Sequence, residues 1–392
     1  MKDIQIKKLI DAETKRQKKV INLIAPENYV SKDVLTALGS IFDNKYSEGY
    51  PYARYYGGQE NIDKLERLCQ DRALKLFSLK KDTWHVNVQP LSGSPANLAV
   101  YLALVPIGGK IMGLPLSSGG HLSQGQKVSI TGKVWQQVPI SLDLRTELID
   151  YEKMKKDAIA EKPGVIVVGF TAYPRIVDFK KCREIADACG AYLMVDMSHF
   201  AGLVAGRVYP SPFLYADVVT TTTQKTLRGP RSAMIFSKRG PSEISKKIDK
   251  AVFPGLQGGP HMGQIAAVAV MLKEDDSPAF RKYAKQVIKN AQVLALELKK
   301  LGWKVISGGT DSHLVLVDTW MDGVGVTGQE AEARLEKAGI IVNKNTVPGE
   351  QRSPFDPSGI RLGSPAETTR GKKEKDFVII ARKIDKILRQ KA

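Results

Sequence analysis

The strongest constraint on this chain is a series of short apolar segments separated by amphipathic stretches. Residues 165–170 (VIVVGF) and 191–195 (AYLMV) contain no charged side chain, so strands there must bury both faces. Between them, residues 178–189 carry helical periodicity. Segments 84–89, 110–114, 216–223 and 233–236 read as further strands, with a helix over 95–105. Strands buried on both faces and spaced by helices form a mainly parallel sheet covered on both sides, an α/β architecture. After PGLQGGP at 254–260 the rhythm changes. Helices over 261–273 and 278–301 lead to strands near 303–306, 314–317 and 340–342. Upstream, a helix carrying Ile4, Leu9 and Ile10 runs into a short strand at 20–24, and a second helix follows at 32–38. The organisation expected is an N-terminal arm (1–30), a large α/β domain (31–274) and a smaller C-terminal α+β domain (275–392).

With 392 residues, 43% hydrophobic and 26% charged, the chain has the composition of a globular protein with full cores. Its 3 cysteines, Cys69, Cys182 and Cys189, lack metal-type spacing, which argues against a zinc site or a disulfide framework, and no metal is expected. The polar start, MKDIQIKKLIDAETKRQKK, and the lack of any apolar run near the ~18 residues of a membrane span point to a cytoplasmic protein without a membrane partner. The net charge of +18 is spread over lysine pairs such as Lys7-Lys8 and Lys299-Lys300, without interleaved aromatics. That pattern reads as solvated helix faces steering anionic ligands. RNA binding is retained only as an added role.

In TTTTQKTLRGPR (220–231) a β-branched run enters a turn bearing Lys225, flanked by Arg228 and Arg231. Nearby positive charge favours a free amine, which condenses with an aldehyde, and pyridoxal phosphate is the obvious one. Read alone, the same lysine fits a surface position. Ser92-Gly93-Ser94-Pro95, between a strand and a helix, suits a phosphate cradle or a plain helix cap. Asp196 ends a buried strand, where it can face a pyridine nitrogen or cap a helix, and His199 follows closely. His121, in GGHLS, can stack on a flat ring or be structural. Arg361 lies on a short apolar strand and calls for a carboxylate from the protein or from a substrate. The stretch at 44–58, NKYSEGYPYARYYGG, is too irregular for helix or strand and has the composition of a binding loop.

These residues lie in long stretches, NKYSEGYP, RYYGG, NVQPLSGSPAN, GGHLSQG, VDMSHFAGLVAG, TTTTQKTLRGPR, FPGLQGGP, SGGTDSHL, VNKNTVP and SPFDPSGIRLGSPA, by which the chain resembles the serine hydroxymethyltransferases. The resemblance implies the type I fold of pyridoxal-phosphate enzymes. It also implies reversible transfer of the serine hydroxymethyl group to tetrahydrofolate, giving glycine and 5,10-methylenetetrahydrofolate in one-carbon metabolism. Lys225 would carry pyridoxal 5'-phosphate as a covalent aldimine, Asp196 would meet the ring nitrogen, and His121 would lie over the ring. Ser92, Gly93 and Ser94 would hold the phosphate, joined by Tyr46, Gly258 and Gly259 of a neighbouring subunit, with Thr171, His199 and Gln224 also on the cofactor. Arg361 would bind the substrate carboxylate, Glu48 would be the acid–base glutamate with Tyr56 beside the substrate, and Leu116, Leu122 and Asn345 would line the folate site. A homodimer with shared active sites, or a tetramer, is implied. Two positions depart from the family's pattern: Pro26 replaces a serine, and Gln224 replaces the histidine before the lysine. An aldolase acting on threonine-type β-hydroxy amino acids is therefore the alternative.

Overall fold

The computed structural model describes residues 1–240 and 242–390. The chain opens with helix α1 (Ile4–Lys19), capped by the Asp3 carboxylate, and none of its residues is buried. Ile4, Leu9 and Ile10 are all exposed. The segment Ile21–Asn22 then pairs in parallel with Ile340–Ile341, which ties the start of the chain to its C-terminal third.

A seven-stranded sheet forms the centre. Its strands are β1 (Trp84–Asn87), β2 (Lys110–Gly113), β3 (Gln136–Pro139), β4 (Val165–Gly169), β5 (Tyr192–Asp196), β6 (Val218–Thr222) and β7 (Ala233–Lys238), in spatial order β3-β2-β4-β5-β6-β7-β1. All run parallel except β7, which is antiparallel to both neighbours. Alternation of side chains explains why these strands have no polar face. Ile166, Val168, Leu193 and Val195 enter one buried cluster, whereas Val165, Val167 and Met194 enter another on the opposite side. The first cluster includes residues of helix α3 (Phe179–Cys189) and the second those of helix α2 (Gly93–Leu104).

Helices α4 (Met262–Asp275) and α5 (Pro278–Lys300) follow. The first half of α5, with Phe280, Ala284 and Val287, packs into the main core, and its second half, with Ala291, Leu294 and Leu298, enters a separate one. That second core lies on a four-stranded antiparallel sheet of β8 (Lys304–Val305), β9 (Leu314–Asp318), β10 (Asn343–Asn345) and β11 (Gly359–Gly363), ordered β8-β9-β11-β10. Helix α6 (Glu374–Arg389) covers it through Phe377, Ile380, Ala381, Ile384 and Leu388, one apolar stripe at helical spacing. Leu23, fully buried, also belongs to this core.

The irregular loop expected at 44–58 contains two strands, Gly49–Tyr50 and Ala53–Arg54, paired as a short hairpin. Its stability comes from a buried clamp that residue order alone does not reveal. Arg54 donates to Asp63 and Glu66 on the helix Glu60–Leu76 and to the carbonyls of Ser47 and Gly49. Residues 391 and 392, the end of the expected C-terminal region, lie outside the described residues.

Candidate active site

The carboxyl ends of β4, β5 and β6, the N-terminus of α2 and strand β11 meet around a cavity of about 400 Å³. Its wall includes Ser92, Gly93, Ser94, His121, Thr171, Asp196, His199, Gln224, Lys225 and Arg361, so ten sequence-selected residues share one site. The ends of parallel strands in an open sheet leave such a crevice.

Asp196 ends β5, paired with Gly169 of β4 and Thr220 of β6, and its carboxylate is held from several sides. Oδ1 accepts from the Ser198 amide at 3.0 Å, and Oδ2 accepts from Asn97 Nδ2 at 2.8 Å. Asn97 in turn accepts from the Thr220 hydroxyl and donates to Ser123 Oγ, which lies 2.7 Å from His121 Nδ1. A continuous polar chain therefore joins the Asp196 carboxylate to the His121 ring. Burial lowers the His121 pKa and favours a neutral imidazole.

Lys225 lies across the same cavity. Its amine is lowered to about 8, chiefly by burial, with help from Arg361 and Arg231 and opposition from Asp196. This corrects the expected role of Arg228, which turns away and stacks on Tyr283 and Phe280. Arg361 follows from strand alternation: Ile360 and Leu362 enter the small core, so the residue between them faces the other way. It donates to Asn343 Oδ1 at 3.0 Å and to the Thr171 carbonyl at 2.7 Å. Among the described residues no carboxylate pairs with it, and burial lowers it to about 10. A buried guanidinium bound only to neutral acceptors retains affinity for an incoming carboxylate.

Tyr46, Glu48, Tyr56, Gly258 and Gly259 are not on this wall. They form a second cluster: the Tyr46 and Tyr56 rings meet edge to face with centroids 5.4 Å apart, and the Glu48 charge raises the Tyr56 pKa. A Cβ at Gly258 would lie 3.0 Å from Glu48 Oε1, so the glycine is what admits the carboxylate there. Leu116, Leu122 and Asn345 are likewise off the cavity wall. Thr346, next to Asn345, donates to the Leu116 carbonyl at 3.5 Å, which brings the two segments together, while Leu122 is exposed.

Asn97, Ser123, Ser198, Thr222 and His313 escaped the residue-level reading. Asn97, Ser123 and His313 occur in NVQPLSGSPAN, GGHLSQG and SGGTDSHL, and that membership was the only available signal. The partners of Asn97 and His313 are remote in sequence, and Ser123 joins its neighbour His121 to Asn97.

A family model described as serine hydroxymethyltransferase matches residues 1–384. The serine hydroxymethyltransferase of Desulfotalea psychrophila is 53% identical over 386 residues, covering 98% of this chain and 88% of that protein. The chain belongs to the serine hydroxymethyltransferase family. The cytosolic serine hydroxymethyltransferase of Saccharomyces cerevisiae is 50% identical over 401 residues, covering 98% of this chain and 85% of its own. A putative mitochondrial serine hydroxymethyltransferase of Neurospora crassa is 50% identical over 400 residues, at 96% and 73% coverage. Serine hydroxymethyltransferases are pyridoxal-phosphate-dependent transferases of fold type I, which accords with the mixed seven-stranded sheet found here.

The cavity suits the group that serine hydroxymethyltransferases use. Ser92 starts α2 without bonding its side chain to the helix, which leaves both the hydroxyl and the first amides free for an anion. A Cβ at Gly93 would lie 2.6 Å from Thr222 Cγ2, so glycine is required for the helix end to approach β6. Thr222 Oγ1 and Gln224 Oε1, on the cavity wall, have no hydrogen-bond partner among the described residues. Such buried polar atoms call for a polar ligand. Pro26 and Gln224, the two positions at which the sequence reading expected a departure, both line the cavity.

Proposed function

We propose that this chain is a serine hydroxymethyltransferase that moves the hydroxymethyl carbon of L-serine reversibly to tetrahydrofolate, giving glycine and 5,10-methylenetetrahydrofolate. The observation that carries this reading is identity of about one half to serine hydroxymethyltransferases across nearly the whole chain. The convergence of Lys225, Asp196 and Arg361 on one cavity supports it.

Ser92, Gly93 and Ser94 would hold the phosphate of pyridoxal 5'-phosphate, Asp196 its ring nitrogen and Lys225 its aldehyde, with His121, His199, Thr171 and Gln224 around the ring. When bound, that group supplies the electron sink that lets the serine Cα–Cβ bond break. Asp196, fixed by Asn97 and Ser198, would offer its carboxylate to the ring nitrogen and so favour the protonated ring. Arg361 binds the substrate carboxylate and orients the amino acid. Glu48 carries the proton to and from the hydroxymethyl oxygen, and Tyr56 stands beside it. Leu116, Leu122 and Asn345 line the path of the pterin. Because Tyr46, Glu48, Tyr56, Gly258 and Gly259 stand off the cavity, they serve the cavity of a second copy, which makes the working unit a homodimer. The division into an arm to residue 30, a large domain to 274 and a small domain beyond accords with two separate cores bridged by α5. No described helix is long and apolar enough to cross a membrane, and relatives named cytosolic favour a cytoplasmic location.

Visible absorption of the protein with pyridoxal phosphate, then glycine, then tetrahydrofolate tests the reading. A new long-wavelength band that requires both glycine and folate is expected. A response to glycine that ignores folate would instead support the aldolase made conceivable by Pro26 and Gln224.

A further inference from the structure

Two buried imidazoles remain, and one of them has no part in the chemistry above. His199 follows β5 on the cavity wall, and His313 immediately precedes β9 in the small sheet. They are 2% and 0% exposed. Their rings stack with centroids 5.3 Å apart and planes 29° apart, and His199 Nδ1 lies 3.2 Å from His313 Nε2. One of these two nitrogens carries the shared proton. Burial and the charges of Lys225 and Arg361 push both imidazoles down, His313 to about 3, so each ring is neutral and holds a single proton.

Two arrangements satisfy that count. If His199 Nδ1 donates, the proton of His313 must sit on its Nδ1, which is buried and has no partner among the described residues. If His313 Nε2 donates, the same Nδ1 is a bare acceptor, and the proton of His199 moves to Nε2 on the cavity side. Orphaned buried N–H groups are rarer than orphaned acceptors, which favours the second arrangement. The charges of Lys225 and Arg361 act on the cavity side, where a bare nitrogen on His199 would suit them. A ligand oxygen that accepts a hydrogen bond from Nε2–H reverses that preference, so the Nε2–H tautomer is held most firmly in the loaded protein.

We propose that His313 is a positioning residue that donates from Nε2 to His199 Nδ1, locking His199 as the Nε2–H tautomer so that the cavity wall presents a hydrogen-bond donor. That this donor meets an oxygen of a pyridoxal-type ring rests on the function proposed above; the locked tautomer does not. The ring of His313 touches no substrate and acts only through its neighbour.

The chain has 5 histidines, so 15N-histidine labelling and long-range 1H–15N spectra can resolve each tautomer. In protein loaded with pyridoxal phosphate, His199 and His313 are expected to be neutral Nε2–H tautomers from about pH 6 to about pH 9. An Nδ1 proton on either ring overturns the proposal. His313→Leu is expected to leave His199 in mixed tautomers and to weaken cofactor binding about tenfold, whereas His313→Gln, whose amide can donate from a similar reach, restores both. An unchanged His199 in His313→Leu also overturns it. If His313→Leu does not fold, the wild-type spectrum decides alone. If the protein takes up no pyridoxal phosphate, the proposed function fails, and the tautomers read in the cofactor-free protein still decide the role of His313.

Discussion

Lys225 owes its reactive amine to burial and to residues far away in the chain. Position in TTTTQKTLRGPR pointed to Arg228 and Arg231, but only Arg231 contributes, and the other cation is Arg361. Linear proximity cannot show which of two flanking side chains turns toward the cavity, and Arg228 finds the Tyr283 ring instead. The sign of the pH effect follows from an amine lowered to about 8. Only the unprotonated form condenses with an aldehyde, so uptake of pyridoxal phosphate by cofactor-free protein should rise about tenfold per pH unit below about pH 8 and level off above it. An ordinary lysine would keep climbing to about pH 10, and stopped-flow absorbance separates the two. Glu48→Gln keeps the shape of its side chain but cannot carry a proton. It should retain pyridoxal phosphate and glycine binding while folate-dependent serine cleavage falls by about 100-fold or more. Full retained activity would remove Glu48 from the reaction. Lys225, Asp196, His121 and Arg361 were legible because their chemistry is carried by residue type and by position after a strand. Asn97 and His313 were not, since their roles exist only through hydrogen bonds to remote partners.

Among the elements, those buried on both faces were the most legible. β4 and β6 are buried throughout and β5 from Leu193 onward, and their residues say so. Two edge strands were not: β3 reads QQVP and β10 reads NKN, and backbone pairing holds them without an apolar pattern. The hairpin at Gly49–Tyr50 and Ala53–Arg54 escaped for a different reason, because its order comes from the Arg54 clamp. Arg54 Nη2 lies 2.7 Å from Glu66 and Nε 2.9 Å from Asp63, and all three side chains are buried. Burial pushes the Glu66 pKa up, opposed by Arg54. Arg54→Ala would leave Glu66 buried without its partner, and should lower stability by about 3–5 kcal/mol, measurable by urea denaturation. The same loop carries Tyr46 and Glu48, so activity should fall further than stability explains. A change under about 1 kcal/mol would show that the clamp is not what orders the hairpin.

At the scale of the whole molecule, the residues of the proposed chemistry fall in two places in one chain. The cavity has Lys225, Asp196 and Arg361, while Tyr46, Glu48 and Tyr56 gather beside Gly258 and Gly259, off its wall. The resemblance assigned Tyr46, Gly258 and Gly259 to a neighbouring subunit, and the proposed function adds Glu48 and Tyr56 to that group. The exposed apolar positions of α1, Ile4, Leu9 and Ile10, belong to the same scale, since none of them is buried by the described residues. Mixing chains tests the account most directly. Lys225→Ala and Glu48→Gln proteins, each nearly inactive alone, are unfolded together, refolded with pyridoxal phosphate and assayed for tetrahydrofolate-dependent conversion of serine to glycine. Random pairing gives half mixed dimers with one intact site each, so activity should return to about one quarter of wild type. A mixture as inactive as its parents would contradict a centre shared between two chains.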